Sequence, residues 1–308
     1  MRYLGPAALT AASLVLLLAT DGTVLDGGRG LGGTLHAGLA AAPAPTPPQP
    51  PPRRRVLSDP RAKREALPSE VFTGAGFDAC TAPPPETMRA WRAASPYGAI
   101  GIYSSGDQRA CDQPRLTAAW VREVRAMGWQ LIPTHVGLQA PCRASAGKPK
   151  RIDPDRAVQQ GRDEAALAVR GLRSLQLATG SPVYLDIESY PRGDAACSQA
   201  VIDFTLGWTQ ALHAAGFHSG FYSSTDSGIA DLAAAARVGS SPLPDAVWYA
   251  RWDDRADTVD GSGPLGADLW AGHQRIHQHH GNVAETYGGV TLTVDRDQLD
   301  TLVALVAP

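Results

Sequence analysis

Few of the signatures that announce a specific chemistry are present in this chain. Its formal charge is −2 over 308 residues, so there is no basic excess to draw a nucleic acid. There is no glycine-rich phosphate loop, no G-x-S-x-G elbow, no dinucleotide fingerprint and no H-E-x-x-H pair. These absences argue against nucleotide, serine-hydrolase and zinc-protease chemistry, and neither metal nor cofactor is expected. His277 and His279 alternate on a strand and form the one metal-like pair, yet no cysteine lies nearby. They read as strand-end polarity. Cysteines are scarce, and none follows the N-terminal apolar run closely, which argues against a lipid-anchored N-terminus.

That apolar run is itself short for a membrane span and is interrupted by Gly5, Pro6, Thr10 and Ser13. With Arg2 ahead of it and Asp21 behind, residues 1–36 read as a signal peptide or an uncleaved N-terminal anchor. Residues 37–69 follow as a Pro/Arg-rich linker, with "PAPTPPQPPPRRR" predicting extended polyproline chain that buries no core. The basic patch "RRRVLSDPRAKR" reads first as a solvated tether, and second as a segment drawn to an anionic membrane or wall polymer. Residues 70–308 have ordinary globular composition and a length close to that of one barrel domain.

Within that domain strand and helix patterns alternate. Eight strands are expected near 71–80, 98–106, 130–137, 182–189, 218–224, 246–253, 274–280 and 290–297. The clearest helices are expected near 117–128, 153–180 and 198–216, closing at Gly128, Gly180 and Gly216. The order predicts an α/β fold, a TIM-like (β/α)8 barrel, irregular in its last units, where helices are poorly marked.

The stretch "SPVYLDIESYP" places Asp186 and Glu188 two residues apart in an apolar run, and side chains at that spacing share a strand face. Burial and mutual repulsion raise at least one pKa of such a pair, as a general acid near neutral pH requires. In a barrel of this type the C-terminal ends of strands form the active face. Polar residues collect there: Asp78, Asp186, Glu188, Trp252, Gln278, Asp295 and Asp297.

Six segments, "GFDACTAPPPETMRAW", "IGIYSSGDQRAC", "LIPTHVGLQAPC", "SPVYLDIESY", "HSGFYSSTDSGI" and "VWYARW", resemble in order the actinobacterial secreted family termed Domain of Unknown Function 1906. That family is glycoside-hydrolase-like, and in turn resembles the family 25 lysozymes. The resemblance implies that Glu188 is the proton donor and that Asp186 stabilises the oxocarbenium-like centre or orients the substrate's N-acetyl group. Asp78 and Asp295 become second-rank candidates for polarising Glu188 or contacting sugar hydroxyls, with Gln278 beside them. Tyr103, Tyr222, Trp248 and Trp252 are candidates for stacking on sugar faces, although Trp248 also suits a core. Family 18 chitinases end similarly in D-x-D-x-E, but Tyr184 stands where their first aspartate would be.

The cysteines Cys80, Cys111, Cys142 and Cys197 follow strands one to four and suit an exported protein. Four cysteines allow three pairings, and neighbouring strands suggest Cys80–Cys111 with Cys142–Cys197. Two functions are therefore expected as alternatives. One is a secreted, retaining or substrate-assisted hydrolase of N-acetylated cell-wall glycan, muramidase-like or N-acetylhexosaminidase-like. The other is a barrel in the cell envelope that binds the glycan without cutting it.

Overall fold

The structure, a computed structural model, describes residues 49–60 and 67–307. The expected signal or anchor segment and the first part of the linker lie outside the described residues, as do residues 61–66. Eight strands close into one barrel in sequence order: β1 (Glu70–Asp78), β2 (Ala99–Ser105), β3 (Gln130–His135), β4 (Pro182–Asp186), β5 (His218–Ser224), β6 (Ala246–Ala250), β7 (Arg275–Tyr287) and β8 (Val290–Val303). Helices α1 (Pro85–Ala94), α2 (Ala118–Ala126), α3 (Ala157–Ser174), α4 (Ala195–Ala215) and α5 (Gly228–Arg237) follow the first five strands.

Local chemistry accounts for the helix boundaries. The Thr117 side chain accepts from the Trp120 N–H at the start of α2, and Asp194 accepts from the Ala196 and Cys197 N–H groups at the start of α4. Each satisfies backbone donors that have no partner within the helix. Gly216 ends α4 in the left-handed conformation, which glycine adopts without a Cβ clash. Gly180 does not end α3, as its place in the sequence suggested. The helix stops at Ser174, and Gly180 serves a tight turn against Pro68.

The apolar residues separate by strand parity. Val183, Leu185 and Ile187 face the layer between barrel and helices, while Tyr184, Ile132, Trp248, Ile276 and Leu299 fill the barrel interior. The last units depart from a perfect barrel in two ways: the crossover between the parallel strands β6 and β7 carries no helix, and β8 is reversed. β8 runs antiparallel to both β7 and β1, and a two-residue Gly288–Gly289 turn joins it to β7. An antiparallel neighbour needs only a hairpin, so no crossover helix is required there. The reversal also corrects an expectation. Asp295 and Asp297 reach the mouth from the middle of a longer β8, not from its C-terminal end.

Residues 49–59, expected as a solvated tether, lie along the outside of α4. Gln49 donates to Ser198 at 2.8 Å, the Arg53 N–H to Gln199 at 2.6 Å, Arg55 to Asp203 at 2.9 Å, and Gln210 to the Ser58 carbonyl at 2.7 Å. Asp59 closes the series against His213 at 2.9 Å. Extended proline-rich chain leaves its own carbonyls and flanking side chains free, so a polar helix face can take them up.

Candidate active site at the barrel mouth

The mouth gathers five carboxyl groups around one amide. β1 carries Asp78, β4 carries Asp186, Glu188 lies just past the end of β4, and β8 supplies Asp295 and Asp297. Register places Asp295 opposite Asp78, and Asp297 between Gly76 and Gln278. Gly101 makes room for this crowding: a Cβ there would lie 2.6 Å from the Asp78 Cβ and 3.1 Å from the Trp248 ring.

Gln278 is the hub. Its Nε2 donates to Asp78 at 3.0 Å and to Asp295 at 3.3 Å, while its Oε1 accepts from Tyr222 at 3.1 Å and from Trp252 at 3.2 Å. Two acids on one side and two donors on the other fix the amide's orientation. Asp78 also accepts from the Tyr103 hydroxyl at 2.8 Å. Trp248 donates its indole N–H to Asp297 at 2.9 Å.

Burial governs the electrostatics. Desolvation, followed by the charge of Asp295, pushes Asp78 up to about 7. Desolvation and the neighbouring Glu188 push Asp186 up to about 6, which is the raised value expected from the D-x-E spacing. Asp297 is pushed well above the carboxylate range by burial and then by Asp78 and Asp295. Its Oδ2 receives no donor among the described residues. A proton on that oxygen can therefore be donated to Asp78, turning a like-charge clash into a hydrogen bond. Asp295 is raised chiefly by burial, although the Asn282 N–H donates to it at 2.6 Å.

The cleft above these groups has two connected parts. One, of about 400 Å³, is lined by Asp78, Tyr103, Lys148, Glu188, Asn282 and Asp295. The other, of about 160 Å³, is lined by Asp78, Asp186, Glu188, Tyr222, Trp248 and Trp252 among others. Trp252 stands at the rim, 60% exposed, whereas Trp248 is 2% exposed and packs inside the barrel against Tyr184 and Tyr222. Of the two tryptophans, Trp252 is the one that can offer a whole ring face to a ligand.

All the singled-out carboxylates, aromatics and Gln278 thus come together. His277 does not join them. Both its ring nitrogens meet backbone carbonyls, of Asp257 at 2.7 Å and Arg251 at 2.9 Å. Two groups, Gln139 and Lys148, went unmarked in the sequence, and a third, Asp297, was named there without a role. Gln139, fully buried, donates to the Asp186 carbonyl at 2.8 Å and accepts from the Glu188 N–H at 2.8 Å, clamping the backbone between the two acids. Its signal was a polar residue in the otherwise apolar segment after β3. Asp297 stood at a strand end without a role. Lys148 gave no signal, since it comes from a long loop, yet its Nζ bonds both Glu188 and, at 3.0 Å, Asp186.

The rim above the mouth is stapled by Cys80–Cys111 and Cys142–Cys197, with Cα separations of 5.7 and 5.8 Å. The first bridge joins the loops after β1 and β2, and the second ties the loop after β3 to the first turn of α4, after β4, the pairing that neighbouring strands suggested.

Comparison with solved structures gives matches that extend over about three quarters of the chain. The Tat-secreted protein Rv2525c of Mycobacterium tuberculosis, in complex with L-tartrate, is 16% identical with a TM-score of 0.50, covering 74% of this chain and 96% of that one. An uncharacterised B. stearothermophilus protein is 15% identical with a TM-score of 0.49, covering 74% and 99%. The catalytic domain of endolysin ply40 from bacteriophage P40 of Listeria monocytogenes is 14% identical with a TM-score of 0.43, covering 74% and 93%. At such identities the likeness speaks to fold alone. No curated protein sequence gives a significant match. A family profile described as "Rv2525c-like, glycoside hydrolase-like domain" matches residues 89–299, which include every mouth residue but Asp78. With that much of the chain covered, the protein belongs to the Rv2525c-like, glycoside hydrolase-like family.

Proposed function

We propose that the protein is an exported glycoside hydrolase acting on an N-acetylated cell-wall glycan of the peptidoglycan type. The observation that carries this reading is the meeting of Asp186 and Glu188 in one cleft with a buried acid cluster and an exposed tryptophan face. Glu188 is the proton donor to the glycosidic oxygen, and Asp186 stabilises the positive charge developing at the sugar or orients the substrate's own acetamido group. Asp78 and Asp295 bind sugar hydroxyls or tune the pair through Gln278, and Trp252, Tyr103 and Tyr222 hold sugar rings.

The spacing of the pair bears on stereochemistry. One ammonium bridges Asp186 and Glu188, so the two bonded oxygens lie within about 6 Å of each other, two hydrogen-bond lengths. An inverting pair needs roughly 6.5–9.5 Å to admit its water. Retention, with an enzyme nucleophile or through the substrate's acetamido group, fits this geometry better. The resemblance of the wider family to the family 25 lysozymes supports a hydrolase. Two rim disulfides suit an oxidising compartment, and the N-terminal segment provides the export signal or the envelope attachment.

Release of reducing ends from purified cell wall tests the hydrolase. Glu188→Gln is expected to lower it by about 10²–10⁴-fold while leaving wall binding in place. Wild-type protein that binds wall and releases nothing favours the second reading, a glycan-binding barrel. One observation supports that second reading: the resident ammonium on both acids, which leaves the Glu188 oxygen it touches accepting a hydrogen bond and unable to donate one.

A further inference from the structure

The segment from Cys142 to Arg151 aims the Lys148 ammonium into the cleft, with Arg143 also turned toward the Asp186 charge. Its start is pinned by the Cys142–Cys197 bridge. Its end is held by Gln108, which accepts from the Lys150 N–H at 2.6 Å and donates to the Lys150 carbonyl at 3.2 Å. Between these points two arginines gather the loop's own carbonyls. Arg143 donates to Gly147 at 2.9 Å, and Arg151 donates to Arg143 at 3.0 Å, to Ser145 at 2.7 Å and to Lys148. Lys148 has a φ of 56°, a left-handed conformation disfavoured for any residue with a Cβ. That conformation sends its ammonium into the cleft, where its side chain is 15% exposed and meets Asp186 and Glu188 together. The neighbouring Lys150 points outward, 56% exposed, toward Asp107.

We propose that Lys148 is an internal latch on the acid pair, occupying the space of a ligand's polar atoms, and that the 143–150 loop must move it aside before a ligand can engage Asp186 and Glu188. Two charge-assisted bonds repay the backbone conformation. The exposed run Ala144–Gly147, fixed at both ends, gives the loop a place to flex. With the ammonium withdrawn, the oxygens of Glu188 and Asp186 that it touched are open to an incoming ligand. The latch itself requires only that this cleft take a ligand. Its second test rests on the glycan reading.

The chain has three lysines, Lys63, Lys148 and Lys150, so amine acylation of the folded full-length protein, mapped by mass spectrometry, reads the latch directly. Lys148 is expected to react about tenfold or more slowly than Lys150, and either Asp186→Asn or Glu188→Gln should remove most of that protection. Equal reactivity of the two lysines in the wild type overturns the proposal. In calorimetric titration with chitotetraose, Lys148→Met is expected to bind about tenfold more tightly than the wild type, equivalent to about 1.4 kcal/mol. Weaker binding by that variant makes Lys148 a sugar contact and overturns the latch. Protection of Lys148 without sugar binding by either protein upholds the latch and removes the glycan reading instead.

Discussion

At the scale of single residues, the buried acids should govern how stability responds to pH. The folded protein holds the Asp78 proton up to about pH 7 and that of Asp186 to about 6, against an ordinary value of 3.8. Across that window the folded state binds more protons than the unfolded chain, so stability is expected to fall as pH rises from about 4 to 7. Urea midpoints measured along this range check the slope. Asp297→Asn is the informative substitution. Its amide oxygen can accept from Trp248 as the carboxyl does, and its NH₂ can donate to Asp78 as the protonated acid would. With no charge left to bury, the variant is expected to gain about 1 kcal/mol at pH 8 and to show a shallower pH slope. A variant less stable than the wild type at pH 8 would mean that Asp297 is ionised and held by groups other than Trp248. A raised pKa for at least one of the pair was readable from a D-x-E spacing set in an apolar run, and in Asp186 burial contributes first and Glu188 second. Lys148 did not, because nothing local ties a loop residue to a strand so far along the chain.

At the scale of elements, α3 and α4 cross at two glycines. A Cβ on Gly161 would stand 2.0 Å from the Phe204 carbonyl oxygen, and one on Gly207 2.0 Å from that of Val158. Backbone cannot yield as a side-chain tip does, so the helices would have to separate. Gly161→Ala and Gly207→Ala are each expected to destabilise by about 1–3 kcal/mol, despite alanine's better helix propensity. Chemical denaturation measures this, and an unchanged or raised midpoint would show that the crossing tolerates a wider spacing. Both helices were readable in outline, although α3 runs only from Ala157 to Ser174 with no side-chain cap and α4 begins at Ala195, ahead of the expected 198. The direction of β8 was not. Its alternation is the same whether it runs with its neighbours or against them, and only pairing partners decide direction.

At the scale of the whole molecule, one disulfide staples the loops after β1 and β2, the other ties the loop after β3 to the start of α4, and the β7–β8 closure is left to hydrogen bonds. The two bridges enclose sequence separations of 31 and 55 residues. Replacing either pair by serines is expected to cost about 2–4 kcal/mol, with the longer loop worth about 0.5 kcal/mol more on chain-entropy grounds. Denaturant midpoints of the two double variants test both the size and the order. Loss of Cys142–Cys197 also frees one end of the loop that carries Lys148, so that variant is expected to show faster Lys148 acylation. Loss of Cys80–Cys111 is not.

The sequence by itself determined what is local or periodic. The strand and helix order, the sharing of a face by Asp186 and Glu188 and the gathering of Asp78, Asp186, Glu188 and Trp252 at strand ends follow from spacing along one chain, whereas which of three cysteine pairings forms did not. Tertiary structure alone decided what depends on distant segments meeting. β8 enters the barrel reversed because a hairpin is the shorter closure. Gln278 becomes a hub because β1, β5, β8 and the segment just after β6 bring donors and acceptors to one amide. Residues 49–59 lie on α4 because a polar helix face meets their free groups. The ammonium of Lys148 comes to rest on the acid pair because a caged loop and two buried negative charges meet there, a coincidence in space that no period in the chain encodes.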